Sequence, residues 1–276
     1  MSDTPTADSA APGGAPLRTE RTRTRRGIDG DVLVGGDGPP LVFFHGAGGV
    51  TDTDPLLGAL AASFTVHAPI WPGYGHDETE TGIEDMLDFT LHGWDLVQAL
   101  ELGEPPVVVG HSMGGMIAAE MASVAPNDLA RLVLIAPAGV WSDNHPVPDI
   151  FAMLPFEMAE VLFHDPVQGE KLMTGGVDFS DNEALAGFMV ANARRLGTAG
   201  KILFPIPNRR LSKRLYRVAV PTTLVWGAGD KLYPTDPYAG LWGEAVADTR
   251  LVTIDEAGHM VQLEQPEAVA AAVRGI

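Results

Sequence analysis

A serine hydroxyl attacks a carbonyl only when a base accepts its proton and a third group orients that base. The stretch VVVGHSMGG, residues 107–115, offers such a serine. Ser112 stands between Gly110 and Gly114, just where a run of β-branched residues ends. If the chain turns sharply there from strand to helix, the serine oxygen is exposed. Positions 110 and 114 must then be small, because they crowd each other across the turn. A helix starting at Met113 aims free N–H groups, that of Met113 first, at any oxyanion formed there. This G-x-S-x-G pattern requires a strand before the serine and a helix after it. A glycine-rich turn with an incidental serine is the competing reading.

The base and its orienting acid must come from loops further along the chain. DEAGHMVQLEQP sets His259 in a glycine-containing loop, and WGAGDKLYP sets Asp230 in another. Serine, acid, histidine is the chain order expected for a strand–turn–helix nucleophile. Asp236, Asp255 and Glu256 are nearby acids, but Asp230 follows its strand most directly. His67, His76, His92, His145 and His164 have no comparable surroundings and read as hydrogen-bonded structural residues. HGAGG, residues 45–49, follows the apolar run LVFF. Its flexible backbone can bring an N–H, that of Ala47, close to the nucleophile as a second oxyanion donor.

The elements that must position these residues are legible as periodicity. RTERTRTRR, DVLVGG, LVFFH, TVHAPI, PVVVG, RLVLIAP, TTLVWG and RLVTI read as eight strands. The later ones are nearly continuous apolar runs, as in parallel strands buried on both faces. TDPLLGALAASF, GIEDMLDFTLHGWDLVQALELG, MGGMIAAEMASVAP and PEAVAAAVRGI read as helices between or after them. The second is expected to end at a glycine, and the third at Pro126. Strand–helix alternation predicts an α/β fold with a mainly parallel sheet covered on both faces.

Composition narrows the function classes. The 276 residues carry 36 acidic and 18 basic side chains, a formal net charge of −18. Such a surface repels nucleic acid and anionic lipid. The absence of cysteine removes disulfides, thiolate metal sites and a cysteine nucleophile, and it fits a cytoplasmic location. No apolar run is long enough to span a membrane. No phosphate loop, nucleotide fingerprint or metal-ligand cluster stands out, so no cofactor is expected. Residues 1–17 are rich in Ala, Pro, Ser and Gly and read as a disordered tail. The core of the fold is then expected to comprise residues 18–140 and 218–276.

Residues 141–217 contain no convincing strand and read as a helical lid. Phe151, Met153, Leu154, Phe156 and Met158 are candidates to line an apolar substrate pocket or to pack the lid onto the core. Eight of the 18 basic residues fall between Arg194 and Arg217. Within that window the Arg209–Arg210 pair is either a carboxylate-binding fork or a solvated face.

Taken together, HGAGG, WPGYGHD, GHSMGG, WGAGDKLYP and AGHMVQLEQPEAV make the chain resemble the α/β-hydrolase fold superfamily from about residue 18 onward. The resemblance implies an eight-stranded sheet flanked by helices, a Ser112–His259–Asp230 triad, and Ala47 and Met113 as oxyanion donors. A serine at the elbow separates this chain from relatives that displace halide or open epoxides with a carboxylate. The implied activity is hydrolysis of a small to medium carboxylic ester. Carbon–carbon hydrolysis of ring-cleavage dienoates and cofactor-free perhydrolysis are the alternatives. Carbon–carbon hydrolases commonly carry an aromatic residue after the histidine, where this chain has Met260, itself a candidate substrate contact. A small-molecule receptor on the same fold is the non-enzyme alternative. The expected partner is a small-molecule substrate, and the oligomeric state is left open.

Overall fold

The computed structural model describes residues 17–75, 82–175 and 177–275. Eight strands form one sheet: β1 (Arg18–Arg23), β2 (Asp29–Gly35), β3 (Pro40–Phe44), β4 (Thr65–Pro69), β5 (Val107–His111), β6 (Arg131–Ile135), β7 (Thr222–Gly227) and β8 (Thr249–Ile254). Their spatial order is β1-β2-β4-β3-β5-β6-β7-β8. β2 pairs antiparallel with both β1 and β4, and every later pairing is parallel. β5, which delivers the candidate nucleophile, therefore lies between β3 and β6 in the middle of the sheet.

Side-chain alternation divides the core into two layers. Val42, Phe44, Val108, Leu132, Leu134, Leu224 and Trp226 pack on one face with α2 (Met86–Ala99), α3 (Met113–Val124) and α7 (Thr235–Ala245). Leu41, Phe43, Val109, Val133, Ile135 and Val225 pack on the other with α1 (Pro55–Ala61), α8 (Val261–Glu264) and α9 (Pro266–Arg274). Asp54 and Asp85 cap α1 and α2 by accepting hydrogen bonds from their first backbone N–H groups.

Three sequence expectations need correction. β8 is an edge strand with Leu251 exposed, so it is not buried on both faces. α2 stops at Ala99 rather than at Gly103, and Glu101 takes the left-handed backbone conformation with φ 49°. Leu17 is buried, and its N–H donates to the Asp52 carbonyl, so it belongs to the core rather than to the tail. Residues 1–16, the rest of the expected tail, and His76 and Asp77 of the WPGYGHD loop lie outside the described residues.

Between β6 and β7 the chain makes α4 (Pro155–Leu162), α5 (Pro166–Thr174), α6 (Asn182–Leu203) and two 3₁₀ turns at Leu211–Lys213 and Leu215–Arg217. Basic residues fasten this insertion to α3. Arg214 forms a two-pronged ion pair with the buried Glu120, Nε donating to Oε2 at 2.8 Å and Nη2 to Oε1. Arg217 Nε donates to the Ser123 carbonyl at 2.6 Å, near the negative end of the same helix. Removing one partner leaves a buried carboxylate without its cation. Arg214→Met should therefore destabilise the fold by roughly 2 kcal/mol, discounted for the exposure of the guanidinium. The double change Arg214→Met, Glu120→Met should recover most of that loss, as read by urea unfolding.

Candidate active site

The site begins with a backbone constraint. Ser112 adopts φ 51° and ψ −113°, a conformation that L-residues rarely occupy. Neighbouring elements hold it there. The Ser112 N–H donates to the Ile135 carbonyl at 2.9 Å. Its carbonyl accepts from both Met116 N–H at 3.0 Å and Ala138 N–H at 3.1 Å. A Cβ at Gly110 would lie 2.5 Å from the Gly114 carbonyl oxygen. A Cβ at Gly114 would lie 2.0 Å from the Phe44 carbonyl oxygen. Gly110 is small for the predicted reason of crowding across the turn. At Gly114 the end of β3 also presses closely.

That pressing brings the loop after β3 to the serine. A Cβ at Gly46 would lie 3.2 Å from the Ser112 Cβ. Gly49 N–H closes a turn onto the Gly46 carbonyl at 3.1 Å. A turn of this kind leaves the N–H of its second residue, Ala47, unused by the turn itself. The first amides of α3, that of Met113 included, likewise have no acceptor within the helix. Tyr74 packs beside this corner, its hydroxyl 3.9 Å from the Met113 sulfur.

Asp230, His259 and Ser112 converge although the first two lie far along the chain. Ser112 Oγ is 2.9 Å from His259 Nε2, and His259 Nδ1 is 3.0 Å from Asp230 Oδ2. All three residues are buried. Asp230 Oδ1 accepts from the backbone N–H groups of Leu232 at 2.9 Å and Tyr233 at 2.8 Å. The carboxylate is thus satisfied and aimed, and Nδ1–H is the tautomer that suits it. Nε2 is left to accept the serine proton. This arrangement can generate an alkoxide-like nucleophile at the start of α3.

His45 and His111 lie within the same corner and are wholly structural in their bonding. His45 Nδ1 is 2.8 Å from the Gly46 carbonyl, and its Nε2 accepts the Trp71 N–H at 3.2 Å. Burial holds its pKa down to about 4. His111 Nε2 is 3.1 Å from the His259 carbonyl, and the Gln262 amide is 3.4 Å from its Nδ1. Burial, with the neighbouring His259 as the next contribution, holds His111 down to about 3. The sequence marks His111 only as a motif neighbour, and its grip on the His259 backbone has no sequence signature.

Ser112 opens on a narrow cleft of about 40 Å³. Trp141, Val147, Ile150, Phe151, Leu203 and Tyr233 are among its lining residues. Of the proposed substrate contacts, Phe151 lines this cleft, its ring 5.6 Å from that of Phe204. Met153 and Met260 are half-buried and are not among the described lining residues. The side chain of Phe156 lies outside the described residues. Arg209 Nη2 donates to the Phe204 carbonyl at 2.8 Å and to that of Lys201 at 3.4 Å, so it braces the insertion. Trp141, Leu203 and Tyr233 were missed because they come from segments that only the folded chain brings together. Among the described residues no cluster of three or more His, Cys, Asp or Glu could hold a metal ion. Nor is any helix there long and apolar enough to cross a membrane.

Residues 41–272 match the α/β hydrolase family. The chain belongs to the α/β hydrolase family. This hydrolase is 28% identical to a pimeloyl-[acyl-carrier protein] methyl ester esterase of Aromatoleum aromaticum, over 86% of its own length and 98% of the relative's. It is 26% identical to a 2-hydroxy-6-oxo-6-phenylhexa-2,4-dienoate hydrolase of Comamonas testosteroni, over 84% and 85% of the two chains. A solved meta-cleavage product hydrolase from Pseudomonas fluorescens superposes with a TM-score of 0.74 at 20% identity, covering 92% of this chain and 96% of that one. The fold is thus that of the α/β hydrolases, with eight strands and flanking helices as expected.

The two buried histidines set a pH dependence. In the unfolded chain each takes up a proton near its ordinary pKa of 6.5, while the folded rings stay neutral down to about 4 and 3. The unfolded state therefore binds more protons in this range, and stability falls with pH. Their contribution is complete above pH 6.5 and is lost as pH drops toward those lower values. His111→Gln should flatten the fall of melting temperature between about pH 6.5 and 4. Parallel curves for the variant and the parent in thermal scans would contradict this.

Proposed function

We propose that this hydrolase cleaves small to medium carboxylic esters through an acyl-enzyme on Ser112. The observation that carries the reading is the buried relay from Ser112 Oγ through His259 to Asp230, at 2.9 and 3.0 Å. His259 Nε2 takes the serine proton as Oγ attacks the ester carbonyl. Asp230 stabilises the imidazolium that forms. The oxyanion rests on the amides of Ala47 and Met113. His259 then protonates the departing alcohol, and afterwards it activates the water that releases the acid.

The cleft favours a neutral ester over an anionic substrate. Its described lining is apolar apart from Ser112, Asp149 and the tyrosine hydroxyl, and Asp149 repels a carboxylate. Arg209, the cation considered for that role, is engaged with backbone carbonyls. The methyl ester esterase relative supports the same choice. The dienoate hydrolase relatives support carbon–carbon cleavage as a second reading, and that substrate class carries a carboxylate. A cleft of about 40 Å³ is far below the ~300–1,000 Å³ typical of ligand pockets. The insertion over residues 141–217 therefore acts as a lid that shifts outward to admit substrate.

The test is a panel of p-nitrophenyl esters of rising chain length beside a ring-fission dienoate. Esters should turn over faster than the dienoate. Ser112→Ala and His259→Ala should each lower kcat on the order of 10⁴-fold, and Asp230→Asn by about 10³–10⁴-fold. A faster dienoate reaction would select the second reading. Turnover untouched by Ser112→Ala would overturn the assignment.

A further inference from the structure

The loop that carries His259 is gripped at three successive residues by three different parts of the chain. Gly258 N–H donates to Glu264 Oε2 at 2.7 Å. His259 presents its carbonyl to His111 Nε2 at 3.1 Å. Met260 N–H donates to the Leu162 carbonyl, at the end of α4, at 3.0 Å. The second oxygen of Glu264 turns to the insertion. Oε1 accepts from His164 N–H at 2.7 Å and from Asp165 N–H at 3.3 Å. One half-buried carboxylate thus joins the histidine loop to the chain between α4 and α5.

The fit of the two segments leaves no slack. A Cβ at Gly258 would lie 2.8 Å from the Leu162 carbonyl oxygen and 2.9 Å from the His164 nitrogen. The insertion also reaches the acid loop, where Lys231 Nζ donates to the Glu160 carbonyl at 2.9 Å. Residues 160–165 therefore buttress both the Asp230 loop and the His259 loop. Two of the three grips on 258–260 come from outside α8, but Glu264 is the side chain that bonds to both segments at once.

We propose that Glu264 is a positioning residue for His259, holding its loop against the insertion so that Nε2 stays in line with Ser112 Oγ. The proposal rests on Ser112 and His259 acting as nucleophile and base. Glutamine is the sharpest probe, because it has the same shape but one accepting oxygen. In Glu264→Gln the amide nitrogen must face a backbone N–H on one side, so one of the two segments is released. Displacement of a catalytic group by about 1 Å costs on the order of 10²-fold in rate.

The experiment measures inactivation of full-length protein by a serine-directed phosphonate, together with kcat and KM for a short p-nitrophenyl ester. Glu264→Gln should lower the inactivation rate and kcat by about 10–100-fold, with KM nearly unchanged. Its melting transition should stay well above the assay temperature. The downfield proton resonance of the His259–Asp230 hydrogen bond should shift or broaden. Glu264→Asp keeps both accepting oxygens and should recover part of the rate. If the glutamine variant does not fold, the aspartate variant carries the test through the same resonance, which must differ from the parent. Equal inactivation rates and an unchanged resonance would overturn the proposal. A parent protein that resists the phosphonate would instead overturn the underlying assignment of Ser112.

Discussion

The structure depends on one strained residue. Ser112 holds a positive φ at the junction of β5 and α3, and that conformation persists only because the surroundings determine it from several sides. The β6 end supplies Ile135 and Ala138 as backbone partners. The β3 end presses on Gly114, which in turn brings Gly46 against the serine. Placing β5 between β3 and β6 is what makes this possible. Gly46, Gly110 and Gly114 leave room for that turn, which raises a hydroxyl out of the backbone at a fixed point.

The rest of the site follows from that point. The parallel strands end on the same side of the sheet, so the loops after β7 and β8 meet the turn after β5. Asp230 is held by two backbone N–H groups of its own loop, which spares its other oxygen for His259. The insertion is bound to the body by contacts of different chemistry, among them two sets of charged side chains. Arg214 and Arg217 tie its end to α3, and the α4–α5 junction is tied to the histidine loop through Glu264.

Much of this is legible in the sequence. Eight strands, the sharp turn at Ser112 and the chain order of Ser112, Asp230 and His259, which converge in the fold, are readable from periodicity and spacing. These features are encoded locally, because a strand, a glycine turn and a helix each impose their own pattern within a few residues. The failures have one physical cause. Edge position, as for β8, depends on which neighbour a strand lacks. Pocket lining, as for Leu203 and Tyr233, depends on how distant segments pack. The Arg209–Arg210 pair read as a substrate fork or a solvated face; Arg210 is exposed, whereas Arg209 bonds to backbone carbonyls, and Arg214 and Arg217 of the same basic run bond to a buried glutamate and a helix carbonyl. Nothing in residues 194–217 names Glu120 as a partner; only the packing of α3 does.

The central claim is that Ser112 becomes covalently acylated during turnover. Rapid acid quench of the protein with a p-nitrophenyl ester, followed by mass spectrometry, tests it directly. The account predicts that protein quenched early gains the mass of one acyl group, located on the peptide that carries Ser112 and absent from Ser112→Ala. Steady turnover with the protein unmodified throughout, or with the acyl group on another residue, would contradict it.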